Sequence, residues 1–305
     1  MSDRELVVLG TASQMPTRHR NHNGYLLLWD DEGVLVDPGE GTQRQLVLSG
    51  VRATRITRVC LTHLHGDHCL GLPGVLARLS QHQLDRPIHV HFPLSGLPYV
   101  ERLLTSSIID LRLDLVLQPV EEPGLVVDRE GFRLRCERLE HSTESIGWRV
   151  EDEARRHLVP QRLRELGVRG PVTGELRRTG RVAVGDRVVT VEEVSTVAPP
   201  QRVAFVFDTR WCPGALDLAR EADLLVCEST FLEQDRERAE EYGHMTAAQA
   251  GRLAAEAGAR RLLLTHFSSR YPDPQAFWDE ASRHFDDVLV AEDLMRLPLP
   301  RPQRT

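Results

Sequence analysis

Residues 62–68 read Thr62-His63-Leu64-His65-Gly66-Asp67-His68 and follow directly on the apolar stretch 56–61. Three imidazoles and a carboxylate within six positions are costly in a structural loop, because apolar packing satisfies none of them. Imidazole and carboxylate donors suit zinc, and Gly66 allows the tight loop through which alternating side chains converge. One such loop cannot complete two metal shells. Three further donors stand at the ends of other expected strands: His141 after the stretch 131–139, Asp208 after 203–207 and His266 after 261–265. Loop positions on a rigid scaffold are where functional residues collect. His19, His22, His82, His89, His91, His157 and His284 have no partner at metal spacing and are expected at surface or packing positions.

Outward from that loop, strand-like and helix-like patterns alternate. Strands are expected over 6–9, 25–29, 33–37, 56–61, 88–92, 115–117, 131–135 and 147–150, with Asp30-Asp31-Glu32-Gly33 turning a hairpin. Helices are expected over 41–49 and 70–84, the second with Pro73 in its first turn, where a missing N–H is tolerated. The later part repeats the idiom, with strands at 203–207, 224–227, 261–265 and 287–291 and helices at 214–220 and 247–257. Such mixing predicts an α/β or α+β class with layered packing. The stretch 151–200 differs: it is Arg-rich, punctuated by Gly167, Gly170-Pro171, Gly174 and Gly180, and reads as a flexible arm inserted into a single domain of 1–305. From Pro298 the tail is rich in Pro and Arg and is expected to fray.

The chain has 305 residues, 41% hydrophobic and 27% charged, with a mean hydropathy of −0.32, values of a soluble globular protein. No basic start leads into an apolar segment, and no apolar run reaches bilayer length, so neither signal peptide nor membrane span is expected and the location is read as cytoplasmic. The five cysteines, Cys60, Cys69, Cys136, Cys212 and Cys227, are odd in number and form no C-x-x-C pair, which fits a reducing compartment. Cys60 and Cys69 are expected as small core residues. All 38 cationic side chains are arginine, whose planar fork matches phosphate. The net charge of −7 leaves any nucleic-acid binding to local basic patches and metal ions. No G-x-S-x-G elbow, phosphate-cradling glycine loop or EF-hand loop occurs.

With these residues in place, the sequence resembles ribonuclease Z, within the metallo-β-lactamase superfamily, over nearly its whole length. The likeness is carried by Leu9-Gly10-Thr11-Ala12 through Arg20-Asn21, by Val36-Asp37-Pro38-Gly39-Glu40-Gly41-Thr42-Gln43 and by 61–72. It continues in Cys227-Glu228-Ser229-Thr230-Phe231, Gly243-His244-Met245-Thr246-Ala247 and Leu264-Thr265-His266-Phe267-Ser268-Ser269-Arg270-Tyr271. The central loop alone is specific only to the superfamily, whereas the last three stretches together are specific to the family.

The resemblance implies a four-layer αββα sandwich with the Arg-rich arm inserted, and two Zn2+ per chain, with Mn2+ or a similar divalent ion as a substitute. By position, His63, His65 and His141 would hold the first ion, Asp67, His68 and His266 the second, and Asp208 would bridge them. Asp67 would also orient the attacking hydroxide, and Glu228 with His244 would donate a proton to the departing ribose 3′-oxygen. The implied activity is removal of the 3′ trailer from precursor tRNA by metal-activated hydroxide attack on phosphorus, leaving a 3′-hydroxyl on the tRNA. The implied partners are precursor tRNA and a second copy in a homodimer.

Substrate contacts are expected from Arg18, Arg20 and Arg270 and, in the arm, from Arg177 and Arg178 among the cluster that also holds Arg155, Arg156, Arg162, Arg164, Arg169, Arg181 and Arg187. Clustered guanidinium groups bind phosphate without sequence preference. Plain alternatives stand beside these: a solvated charged face for the arm, and a pair without a proton role for Glu228 and His244. Three positions depart from the family pattern. Phe207 precedes Asp208 where glycine is common, Met245 replaces a small polar residue, and Arg18 stands where lysine is usual. Two other functions remain open, a hydrolase of the same fold acting on another phosphodiester or small ester, and a non-catalytic RNA-binding scaffold.

Overall fold

Leu6, Val7, Val8 and Leu9 are all fully buried, yet they face two ways. Leu6 and Val8 pack with Tyr25, Leu27 and the residues of a second sheet, whereas Val7 and Leu9 pack with Leu26, Leu46, Leu72 and Val75 beneath helices. An unbroken apolar run is therefore the signature of a strand covered on both faces. The computed structural model describes residues 4–108 and 110–299 and contains two seven-stranded sheets.

The first sheet takes β1 (Glu5–Gly10), β2 (Gly24–Trp29), β3 (Glu32–Val36), β4 (Arg58–Cys60), β5 (Ile88–Pro93) and β6 (Leu115–Val120) in sequence. The second begins with β7 (Gly124–Arg129), β8 (Phe132–Glu140) and β9 (Glu144–Glu151). The inserted unit supplies β10 (Arg155–Leu158), β11 (Arg181–Val184), β12 (Arg187–Thr190) and β13 (Ser195–Ala198). The second sheet resumes with β14 (Arg202–Val206), β15 (Leu224–Glu228), β16 (Leu262–Thr265) and β17 (Val288–Val290), and β18 (Arg296–Pro298) returns to pair with β1.

Helices Thr42–Leu48 and Leu72–Leu79 cover the outer face of the first sheet through Leu46, Leu72, Val75, Leu76 and Leu79. Pro213–Ala219, Ala247–Glu256 and Gln275–Ala281 cover the second through Leu218, Leu253 and Phe277. The layers run helix, sheet, sheet, helix. Among the described residues no helix is long and apolar enough to cross a membrane.

The expected helix 70–84 is shorter, Leu72–Leu79, and a separate turn of helix, Gly66–Cys69, precedes it. Pro73 has no N–H to continue a turn from Cys69, so the helix restarts at Leu72, and it ends where the polar run Gln81-His82-Gln83 offers no apolar face. The expected fraying at Pro298 is also corrected: Arg296–Pro298 is a strand, and the Leu299 N–H donates to the Arg4 carbonyl at 2.8 Å. The remainder of that tail lies outside the described residues. His91, read as a surface or packing residue, is fully buried.

Asp152–Gln201 is a compact unit with its own core. Val168, Leu176, Val182, Val189 and Val194 are buried together between helix Pro171–Thr179 and the pairs β10–β13 and β11–β12. Its two ends are clasped: the Asp152 N–H donates to the Gln201 carbonyl at 3.1 Å, and the Gln201 N–H donates to the Asp152 carboxylate at 2.7 Å. Short strands broken by glycine turns left no readable period in the sequence, which is why this stretch reads as an arm without elements of its own.

Candidate metal centre

Strand ends build the site. Asp37 follows β3, Thr62 and His63 follow β4, His141 follows β8, Asp208 follows β14, Glu228 ends β15 and His266 follows β16. Asp37, Asp208 and His266 have φ of 45°, 37° and 61°, left-handed values that residues with a Cβ avoid. Each such residue costs about 1–3 kcal/mol and persists where its surroundings over-determine it. The backbone is thus strained where these side chains enter the site.

The expected donors converge in two groups. His63 Nε2 lies 3.0 Å from His65 Nδ1, His141 Nε2 lies 3.3 Å from the same atom, and Asp208 Oδ2 is 3.6 Å from His63 Nε2 and 3.7 Å from His141 Nε2. In the second group His68 Nε2 and His266 Nε2 are 3.3 Å apart, and Asp67 Oδ2 is 3.4 Å from the first and 3.6 Å from the second. Asp208 turns its other oxygen here, with Oδ1 3.3 Å from His68 Nε2 and 3.2 Å from His266 Nε2. Tetrahedral zinc with bonds of 2.0–2.1 Å separates its donors by roughly 3.3–3.4 Å. Both groups have that spacing, and one carboxylate faces both.

Hydrogen bonds behind the rings decide which nitrogen carries a proton. His63 Nδ1–H donates to Thr62 Oγ1 at 3.0 Å, whose own proton goes to Asp37 Oδ2 at 2.6 Å. The same carboxylate oxygen accepts from His68 Nδ1–H at 2.8 Å. On the other side, His266 Nδ1–H donates to Thr230 Oγ1 at 2.7 Å, Thr230 Oγ1–H donates to Glu228 Oε2 at 2.6 Å, and His244 Nδ1–H donates to Glu228 Oε1 at 3.0 Å. His141 Nδ1–H is held by the Gly243 carbonyl at 2.9 Å. Gly243 has φ 74°, and a Cβ there would meet His141 Nδ1 at 3.0 Å, so only glycine fits comfortably. With their Nδ1 protons fixed, His63, His68, His141 and His266 all aim Nε2 lone pairs inward, an arrangement that repels itself unless a cation stands among them. Asp208 Oδ1, buried without a hydrogen-bond partner, points to the same need. These residues therefore fit a divalent metal ion.

Sequence reasoning missed the orienting groups Asp37, Thr62 and Thr230. Asp37 lay in a quoted family stretch, but nothing in its spacing marked it as the anchor for two imidazoles. Substituting Asp37→Asn is expected to lower metal affinity by about 10- to 100-fold, because the amide has no charge and its NH2 faces a donor, either the Thr62 N–H that Oδ1 now accepts or the Thr62 hydroxyl and His68 Nδ1–H that Oδ2 now accepts. Metal retained against a graded chelator series measures this, and an unchanged release curve would rule out the anchoring role.

Charge is arranged to match. Burial opposes ionisation of Asp208, but His266, His68 and His244 outweigh it and hold the carboxyl well below its usual range. Burial also opposes a charge on His68, yet Asp208, Asp67 and Asp37 lift its pKa well above the usual imidazole value, so that Nε2 holds a proton wherever no cation takes its lone pair. Burial and the neighbouring rings of His68, His141 and His65 push His63 well below, despite Asp208. Burial works against a protonated His244 too, and Glu228 and Asp208 still raise it to about 9.

The site opens into a cleft of about 720 Å³ lined by His65, Asp67, His141, Asp208, His244 and His266, with Met15, Leu70, Phe231, Arg238, Tyr242 and Arg270 among the residues around them. Of the arginines expected to touch substrate, Arg270 lines this cleft and is exposed, as is Arg18 outside it. Arg20 turns inward: Nη1 donates to Thr11 Oγ1 at 2.7 Å and to the Ala291 carbonyl at 3.0 Å, and the guanidinium covers the Phe267 ring at 4.5 Å. Arg177 and Arg178 are exposed on the unit Asp152–Gln201. Two of the three departures from the family pattern, Phe207 and Met245, are absorbed by the core. Phe207 stacks on Tyr25 with centroids 4.8 Å apart, and Met245 is fully buried, its N–H donating to Glu228 Oε2 at 3.2 Å. All five cysteines are buried and free.

Two facing sheets with metal donors on their strand ends define a metallo-β-lactamase-fold protein. Residues 17–160 match the family model described as metallo-beta-lactamase superfamily, and residues 189–267 that of the beta-lactamase superfamily domain. The chain is 53% identical to ribonuclease Z of Nocardia farcinica over all of both chains, and 51% identical to ribonuclease Z of Salinispora arenicola over 100% of this chain and 98% of that one. Among solved structures, the short form of human tRNase Z is 27% identical, covers 97% of this chain and 99% of its own, and superposes with a TM-score of 0.71. The chain belongs to the ribonuclease Z family.

Proposed function

We propose that the chain is a zinc-dependent endoribonuclease that removes the 3′ trailer from precursor tRNA, with two ions held by His63, His65, His141, Asp67, His68 and His266 and shared through Asp208. The observation that carries this reading is Asp208, which turns one oxygen to each donor group beside the His244–Glu228 pair. Ions in those positions would lower the pKa of water and offset charge on the phosphoryl oxygens. The side chains do the rest. Asp67, at the cleft floor, accepts a hydrogen bond from the attacking water and aims its lone pair at phosphorus. As the new P–O bond forms, the bond to the ribose 3′-oxygen breaks, and its electron pair stays on that oxygen. His244 protonates the oxygen from Nε2 while Glu228 holds Nδ1–H. The tRNA keeps a 3′-hydroxyl, and the phosphate remains on the 5′ end of the trailer. Incubating the metal-loaded protein with a trailer-bearing precursor tests the assignment: those two termini are expected, and an intact precursor would refute it.

The unit Asp152–Gln201 supplies the long-range RNA contact in this reading. Arg164, Arg169, Arg177, Arg178 and Arg181 are exposed and pair with no carboxylate among the described residues, so they are available to phosphates. A homodimer and a cytoplasmic location belong to the same proposal. Because the ends of the unit are clasped, residues 153–200 are replaceable by a short glycine-serine linker. The truncated protein is expected to hydrolyse bis(p-nitrophenyl) phosphate as before and to lose on the order of a hundredfold in kcat/KM on precursor tRNA, with a shallower salt dependence. Equal retention of both activities would remove the unit from RNA recognition.

A further inference from the structure

The rim of the cleft carries a pair of aromatic rings that neither metal binding nor proton transfer uses. Tyr242, the last residue of helix Arg236–Tyr242, is 53% exposed, and its hydroxyl makes no hydrogen bond among the described residues. Beneath it lies Phe231, with ring centroids 6.5 Å apart and planes only 11° from parallel. Phe231 is nearly buried and stands 6.0 Å from the His244 ring. His244 in turn lies 5.0 Å from His141 and 5.5 Å from His266. A file of rings therefore runs outward from the metal donors through His244 and Phe231 to Tyr242 at the solvent. One helical turn before Tyr242, on the same face, Arg238 lines the cleft half-buried, with no hydrogen bond or ion pair among the described residues. A flat, exposed ring held rigid from behind, next to an unpaired guanidinium, is the recurring design for holding a single-stranded base by its face.

We propose that Tyr242, backed by Phe231 and flanked by Arg238, is the stacking platform for the base of the nucleotide whose 3′-oxygen departs. The proposal rests on the nuclease reading above, which places that oxygen at His244. The base attached to the same ribose then lies along the outward file of rings, on the His244 side of the centre. Arg238 takes the phosphate that leads into this nucleotide. Stacking accepts any base because every base has a π-face, so the platform fixes position without selecting sequence. It holds the tRNA end still while His244 and the water act on opposite sides of phosphorus.

The probe is a mature tRNA whose last nucleotide, at the cleavage point, is 2-aminopurine; it is the reaction product and cannot be cleaved again. Titrated with the metal-loaded wild-type protein, its fluorescence is expected to be quenched by stacking. Quenching is expected to persist in Tyr242→Phe and to disappear in Tyr242→Ala, whose thermal midpoint is expected to move little because half of the residue is exposed. On trailer-bearing precursor, Tyr242→Ala is expected to lose about 5- to 150-fold in kcat/KM, chiefly through KM. Arg238→Ala is expected to raise KM while leaving the quenching at saturation intact. If the wild type cleaves precursor but leaves 2-aminopurine unquenched, or if Tyr242→Ala quenches and cleaves like wild type, the platform is wrong and the nuclease reading stands. A wild type that leaves precursor uncut removes both.

Discussion

Asp208→Ala is expected to leave the protein folded, nearly free of metal and inactive on every phosphodiester. The carboxylate is the only expected donor shared by both groups, with Oδ2 toward His63 and His141 and Oδ1 toward His68 and His266. Its removal takes one donor from each group and leaves Asp67 as the one carboxylate among the expected donors. Lewis-acid assistance is worth several kcal/mol, and each 1.36 kcal/mol is a decade in rate, so a loss on the order of a thousandfold or more follows. Metal per chain after desalting is the primary measurement, with precursor cleavage beside it. His65→Ala should empty the first position and spare more of the second, because His65 groups with His63, His141 and Asp208 and not with Asp67, His68 or His266. A fully loaded Asp208→Ala protein would mean that the two groups do not share a bridging ligand.

The second large effect is expected from Glu228→Gln, with metal retained. Glutamine keeps an oxygen for the Thr230 hydroxyl that steadies His266, whereas alanine would remove that anchor as well. What glutamine lacks is the charge that, with Asp208, raises His244 to about 9 against its burial, and its NH2 replaces the oxygen that accepts from His244 Nδ1–H and the Thr209 N–H. A general acid works while protonated, so the wild-type rate is expected to fall as pH rises through about 9. In Glu228→Gln the fall moves to lower pH, toward the ordinary imidazole range, and the deficit grows from pH 6 to pH 8. Proton transfer to a leaving group typically contributes about a hundred- to ten-thousandfold, which bounds the loss on RNA. Bis(p-nitrophenyl) phosphate, whose leaving group needs no proton, should lose far less. Equal losses on both substrates, or an unmoved pH profile, would assign Glu228 to holding the structure alone.

The donors were legible because metal chemistry restricts residue type so strongly. His63, His65, Asp67 and His68 stand in one loop, and His141, Asp208 and His266 each close a strand whose apolar run is visible beforehand. The orienting groups were not legible, since Thr62 and Thr230 are ordinary residues whose role depends on which ring they touch across space. The Phe231–Tyr242 pair escaped for the same reason, eleven positions apart in the sequence and parallel only in the fold. Most strands of four to six residues were read to within a residue or two, whereas the longest, Phe132–Glu140 and Glu144–Glu151, were read as 131–135 and 147–150, and Gly124–Arg129 went unread. Helices at Leu97–Leu104, Arg236–Tyr242 and Gln275–Ala281 went unread, being barely two turns long and held in place by packing more than by their own propensity. Composition set 151–200 apart from its surroundings, but the core of the unit Asp152–Gln201, five valine and leucine side chains, is too dispersed along the chain to announce itself.

The donors divide between the two sheets, His63 to His68 on the first and His141, Asp208 and His266 on the second. Neither half alone holds either of the two donor sets that share Asp208, since each set draws on His63 to His68 and on the second sheet. During synthesis the second shell is complete only after His266 has left the ribosome, and β18, which closes the first sheet against β1, follows later still. An ion held by both donor sets would be a late rivet, rewarding the docking of the two halves. Its stabilisation would fall on the global unfolding of the sandwich, growing with free metal concentration, while local opening at the edges would stay as easy as before.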